Sequence, residues 1–248
     1  MPTYVYGVTA ADCRAPDRSG VDGAEVRVVE DDGLCALVGT AADDVVEAGR
    51  ANLMAHSDVL QDVVAGRTVV PMRFGMLLPD DEAVRRELLH GRRAELTSLL
   101  RAVDGNVELS LKVYYVEDAV LSEILSTNRS IAKLRESIRS LPDDASYFQR
   151  IKLGESVAAE LARRRTADAT VLMARLAPLA EASDEAEELP ELMVLKGSFL
   201  VPRGRVEGFR AAVDDLAGES AGRMIFKLVG PLPPYSFVQF EAQAEAVA

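Results

Sequence analysis

A chain of 248 residues, 48% hydrophobic and 27% charged, has ordinary globular composition and is long enough for one large domain or two small ones. That composition excludes wholesale disorder and fibrous repeats. A formal net charge of −12 argues against an extended nucleic-acid surface, which needs clustered Lys and Arg.

The N-terminal TYVYGVT, residues 3–9, is β-branched and aromatic and predicts a strand. No basic region with a continuous apolar core precedes it, so no secretory signal is expected there, and no apolar run reaches the length of a membrane span. AEVRVVE and LCALVGT, joined by Asp31-Asp32-Gly33, predict a hairpin, since Asp-Gly supplies the positive φ of a tight turn. From Asp43 to Gly66 the period changes, with Leu53, His56, Leu60 and Val63 or Val64 on one helical face and Gly66 as C-cap. TVVPMRFGMLL follows as a strand whose internal proline makes it an edge or places a bulge in it. Pro79-Asp80-Asp81-Glu82 opens a further helix running through Leu88, Leu89, Leu96, Leu99 and Leu100, its acidic residues at the positive end.

A first α+β domain, 1–103, is expected to end before the turn Asp104-Gly105-Asn106. The second, 104–248, opens with the alternating strand VELSLKVYYV. Two short helices precede a long one from Asp143 to about Ala182, with Tyr147, Ile151, Val157, Leu161, Leu172 and Leu176 on its apolar side. EASDEAEE, 181–188, reads as an exposed linker. The strand LMVLKGSFLV, a helix from about Arg205 to Leu216 capped by Gly218, and the strand RMIFKLV complete a ferredoxin-like antiparallel sheet with helices on one face. The fold class is α+β.

Sites of known chemistry are hard to find. Cys13 and Cys35 fit a reducing cytoplasm, and two separated histidines, His56 and His90, do not make a transition-metal site. His56 lies on an apolar stripe and reads as a buried, hydrogen-bonded structural residue; His90, before Gly91, suits the negative end of its helix. G-x-S-x-G, the P-loop and G-x-G-x-x-G after a strand are missing, so no catalytic residues and no cofactor are assigned. Arg163 to Arg165, the densest basic run, reads as a solvated helix face.

Two stretches carry unusual strand chemistry. In VVPMRFG, residues 69–75, alternation sets Arg73 opposite Val70, Met72 and Phe74, as an interface contact or as an arginine covering the sheet beside a carboxylate. GPLPPYSFV, residues 230–238, reads as a rigid extended segment placing Tyr235 and Phe237 on the same side.

TYVYGVT, AHSDVLQDVVAGRTVVPMRFG, ELSLKVYYVED and GSFLVPRGRVEGFRAAVDDL followed by GPLPPYSFV lie in order over nearly the whole chain, and together they resemble the gas vesicle protein F/L family. VVPMRFG and GPLPPYSF are the most specific. Members commonly carry tryptophan between the prolines, where this chain has Leu232 and so lacks a flat ring with an N–H donor. The resemblance implies a non-catalytic accessory or minor structural protein of gas vesicle assembly. Its implied partners are the small hydrophobic shell protein and other accessory proteins, and its implied location is the cytoplasm and the vesicle. Candidate contact residues are Arg73 and Phe74 at the sheet edge, and Pro231, Pro234 and Tyr235 in the proline-rich segment. A small-molecule-sensing α+β protein is the alternative reading, with an enzyme as a third.

Overall fold

The computed structural model describes residues 1–139 and 142–240, with only the backbone of 143–145. Packing divides the chain into two compact units, one made of Met1–Leu109, Leu200–Gly204 and the segment from Gly230, the other of Ser110–Phe199 and Arg205–Val229. The sequence places one boundary after residue 103; the packing interleaves the chain instead, because the proline-rich segment packs with the N-terminal residues.

In the first unit, β1 (Thr3–Ala10) is central and buried along almost its whole length. β2 (Arg27–Asp31) and β3 (Leu34–Thr40) form the expected hairpin, with φ of 38° at Asp32 and 87° at Gly33. A register shift between Val5 and Gly7 in the β1–β3 ladder lets Val5 and Val8 share one apolar cluster. α1 (Arg50–Val64) starts seven residues later than the sequence suggests. Residues 42–49 have no stripe to bury, and Val45 is exposed, whereas His56, Val59, Leu60, Val63 and Val64 form a helical face that does. Gly66 is not a left-handed cap; its N–H and that of Arg67 both bond the Val63 carbonyl in a tightened last turn.

VVPMRFGMLL forms two short strands, β4 (Val70–Pro71) and β5 (Leu77–Leu78), both paired with β1. Between them the chain leaves the ladder at Arg73, Phe74 and Gly75, where φ is 88°. The neighbour order is β2-β3-β1-β4, so β4 is at an edge, as its proline demands. Asp80 accepts a 2.8 Å bond from the Ala83 N–H and caps α2 (Asp81–Ala83), which runs into a π-helical segment, Val84–His90. The single helix read from the sequence is interrupted here, with the Gly91 N–H reaching back five residues to Arg86. The added residue lets Val84, Leu88 and Leu89 join Leu96 and Leu100 of α3 (Arg93–Ala102) in one core with Val5, Val8, Val38 and Met72.

The later elements are β6 (Asn106–Tyr115), α4 (Glu117–Thr127), α5 (Arg129–Arg139), α6 (Asp143–Leu176), β7 (Ala182–Glu185), β8 (Met193–Pro202), α7 (Val206–Glu219) and β9 (Met224–Leu232). Their strand order, β7-β8-β6-β9, is the ferredoxin-like one. β7 corrects the expected linker. Its four side chains are exposed, so neither burial nor alternation marks it, and backbone pairing holds it, as in the 3.0 Å bond from Ala186 N–H to Lys196 O just beyond its end. α7 runs through Gly218, and the left-handed residue is Gly222, with φ of 76°. β9 continues past Val229 through a cis Gly230–Pro231 peptide to Leu232.

Candidate functional site

The proline-rich segment is fixed by partners at each end. Gly230 has φ of 139°, and a Cβ there would stand 2.6 Å from Leu109 Cδ2 and 2.8 Å from the Glu108 carbonyl, so only glycine fits. The Pro231 carbonyl accepts from Gln61 Nε2 of α1 at 2.7 Å. Pro233 and Pro234 are buried, and a 3-10 turn, Tyr235–Phe237, closes with a 3.1 Å bond from Phe237 N–H to Pro234 O. Glu108, only 5% exposed, accepts the Ser236 N–H at 2.9 Å on one oxygen and the Ser236 hydroxyl at 2.8 Å on the other. Such bonds to a carboxylate are stronger than neutral ones. The turn corrects the extended reading: Tyr235 and Phe237 do not share a side as strand residues two apart would.

Tyr235 directs its hydroxyl inward although the residue is 41% exposed. That hydroxyl is 2.9 Å from Nε2 of His56, whose Nδ1 is 2.8 Å from the hydroxyl of Tyr4. The Gly75 N–H donates to the same Tyr4 oxygen at 3.2 Å. Phe74 meets both Tyr4 and His56 edge-on, at centroid distances of 6.0 and 5.8 Å, and Tyr6 stacks on His56 at 5.6 Å. Burial pushes the imidazole down to about 4. It also pushes the hydroxyls of Tyr4 and Tyr235 well above the ordinary tyrosine range. The ring is therefore neutral near pH 7 with one N–H, so one tyrosine donates to it and the other accepts from it. Both nitrogens are engaged. The expected structural histidine is thus also the bridge that ties the proline-rich segment to β1 and α1.

The structure places the candidate residues differently from one another. Arg73 is exposed and makes no ion pair among the described residues. Phe74 is half-buried against His56, which also holds Tyr235; the two stretches that look separate in sequence share one histidine. Pro231 and Leu232 are half-buried, and Pro234 is buried behind Tyr235.

Two features of the second unit escape the sequence reading. Tyr147, Phe148 and Ile151 of α6 are 62%, 81% and 45% exposed, although Tyr147 and Ile151 read as buried-face residues. The signal was available: adjacent aromatics at 147 and 148 cannot both follow the stripe that leads to Leu161, Leu172 and Leu176, which are buried. The second is an ion network. Arg223 bonds Glu123 at 2.8 Å and Asp168 at 2.6 Å, Tyr115 donates to Asp168, and Arg164 joins Glu123 to Glu160. Arg164 is thereby withdrawn from the solvated run to which its sequence neighbours assign it. Cys13 and Cys35 are free and buried. Among the described residues no group of His, Cys, Asp and Glu could hold a metal ion, and no helix is long and apolar enough to cross a membrane.

This arrangement has close parallels. The family model for gas vesicle synthesis protein GvpL/GvpF matches residues 2–239. The chain belongs to the GvpL/GvpF family. Gas vesicle protein F of a Streptomyces species is 38% identical over 245 residues, spanning 96% of this chain and all of the relative. Gas vesicle protein F of Haloferax mediterranei is 27% identical over 98% of this chain and 95% of the relative. The crystal structure of GvpF from Anabaena sp. superposes with a TM-score of 0.84 at 25% identity, covering 97% of this chain and 99% of that one. The fold is also that of GvpF from Microcystis aeruginosa, with a TM-score of 0.78 at 24% identity over 96% and 99% of the two chains. Family membership gives the chain a role in gas vesicle assembly.

Proposed function

We propose that the chain acts in gas vesicle assembly as a non-catalytic accessory or minor structural protein, binding the small hydrophobic shell protein and other accessory proteins. The observation that carries this reading is the exposed apolar stripe of Tyr147, Phe148 and Ile151. Ile151 lies one helical turn beyond both Tyr147 and Phe148, and the two rings meet edge-on at 5.5 Å. Large apolar side chains grouped on a solvent face mark a surface that a partner covers. A hydrophobic subunit held there before polymerisation would bury them, as a helix does in an apolar groove.

In the first unit, Arg73, Phe74, Pro231 and Tyr235 form a second candidate surface, with Pro234 as its buried support. The loop at Arg73 offers a cation beside the Gly75 N–H that Tyr4 holds, and Tyr235 offers an aromatic face on a segment fixed by His56, Glu108 and Gln61. Pre-organisation of this kind favours binding, because little order remains to be imposed.

Capture of purified shell protein by the immobilised chain tests the reading. Phe148→Glu with Ile151→Glu is expected to abolish capture while the circular dichroism spectrum stays unchanged. Arg73→Glu with Tyr235→Ala is expected to weaken it or to remove an accessory protein instead. Full capture and normal vesicle formation with both folded double variants would overturn the proposal.

A further inference from the structure

A cleft of about 610 Å³ opens in the first unit beside the ends of β1, α1 and α3. Arg67, Arg93, Arg101 and Arg203 line it, against only two carboxylates, Asp32 and Asp104. In a chain with 40 acidic and 28 basic residues, that local balance is inverted. The carboxylates do not neutralise it. Arg93 takes up Asp32, and one Asp104 oxygen accepts the Thr68 hydroxyl at 2.8 Å. Arg203 is held by neutral acceptors, the carbonyls of Val64 and, at 2.6 Å, Arg67, which fix the guanidinium without cancelling its charge. Arg67 and Arg101 are exposed and have no ion pair among the described residues.

We propose that this cleft binds an acidic polypeptide segment of a partner protein. Arginine forks recognise carboxylate and phosphate alike, so the choice between them rests on the backbone. A phosphate cradle uses free main-chain N–H groups at loops or helix starts. Here four of the lining-loop N–H groups are engaged within the chain: Gly66 and Arg67 donate to Val63 O, Asp104 to Arg101 O, and Gly105 to the Thr68 hydroxyl at 3.2 Å. The charged donors that line it are the side-chain guanidinium groups of four arginines, over an apolar floor that includes Leu34 and Leu100. Spaced carboxylates on a chain whose other side chains meet that floor match this layout. Its lining shares no residue with the apolar stripe of α6 or with the surface at Arg73, so peptide binding and shell-protein capture are read separately.

The test is fluorescence anisotropy of the full chain with a fluorescein-labelled peptide of alternating glutamate and alanine, at low and at physiological salt. Binding is expected that weakens as salt rises, with no binding of the corresponding lysine-alanine peptide. Arg67→Glu with Arg101→Glu is expected to weaken it by at least about tenfold, because two attractive charges become repulsive. Arg129→Glu, at an exposed position of α5, and the α6 stripe variant should leave it unchanged. Failure of the acidic peptide to bind, or equal binding by the Arg67/Arg101 variant, overturns the proposal. So does binding of inorganic phosphate or a nucleoside triphosphate in place of the peptide, which would make the cleft a small-anion site.

Discussion

Nε2 of His56 lies 2.9 Å from the hydroxyl of Tyr235, joining residues 179 positions apart. That bond lets α1 hold the 3-10 turn at the end of the proline-rich segment. Tyr235→Phe would keep the ring and remove the hydroxyl, leaving one nitrogen of the buried imidazole without its partner. An unsatisfied buried group costs about 1–3 kcal/mol. Urea denaturation should show a loss of that size with an unchanged slope, while Tyr147→Phe, exposed on α6, should cost almost nothing.

The depressed basicity of His56 makes stability depend on pH. With the folded-state value at about 4 and an unfolded value near 6.5, the unfolded chain takes up the proton first as pH falls. This contribution is complete above about pH 6.5 and is lost progressively down to about pH 4. Between pH 7.5 and pH 5 it amounts to about 2 kcal/mol. His56→Gln, less stable at pH 7.5, should lack that part of the decline, so urea midpoints measured at the two pH values for both proteins check it.

What the sequence could and could not disclose follows from the range of the forces involved. His56 was legible as a buried structural residue because its helical stripe is local, and the Asp32-Gly33 hairpin because turn chemistry is local. The ferredoxin-like half could be read from element order alone. β7 could not, since its exposed side chains carry no pattern and its pairing is made by backbone. The π-helical segment before Gly91 was hidden because its leucines still satisfy a helical period. In the candidate site, Phe74 and Tyr235 each stood out, but their shared histidine did not, because it joins residues distant in sequence. The ring of partners around Arg223 is equally non-local: Glu123 is 100 residues away and Asp168 is 55.

That network gives a prediction within the second unit. Arg223 is 30% exposed and faces two carboxylates, so Arg223→Ala leaves Glu123 and Asp168 near each other without their shared cation. For pairs this accessible to solvent, screening limits the cost to about 1–2 kcal/mol. The loss should shrink as sodium chloride is raised from low to molar concentration, because salt screens the repulsion that remains. Arg223→Lys should recover only part of it, since one ammonium cannot present two forked donors to two acids. Thermal melts of the three proteins across a salt series provide the measurement.

Gly230 offers the sharpest test of how the proline-rich segment is held. With φ of 139° and only 2.6 Å from a virtual Cβ to Leu109 Cδ2, alanine there must both enter a region that L-residues avoid and push against β6. Strain of the backbone costs of order 1–3 kcal/mol, and the 2.8 Å approach to the Glu108 carbonyl cannot be relieved by a rotamer change. Gly230→Ala is therefore expected to lower stability by about 3 kcal/mol in urea denaturation. Moving Glu108 would also disturb its two bonds to Ser236 and, beyond them, the seat of Tyr235. If the surface proposed at Arg73 and Tyr235 takes a partner, the displaced turn should weaken that binding even at temperatures where the variant remains folded. Gly218→Ala, inside α7 where an added Cβ meets open space, is the matched control and should stabilise slightly through helix propensity. Equal stability of Gly230→Ala and the unchanged chain would show that the segment is not held by this close approach.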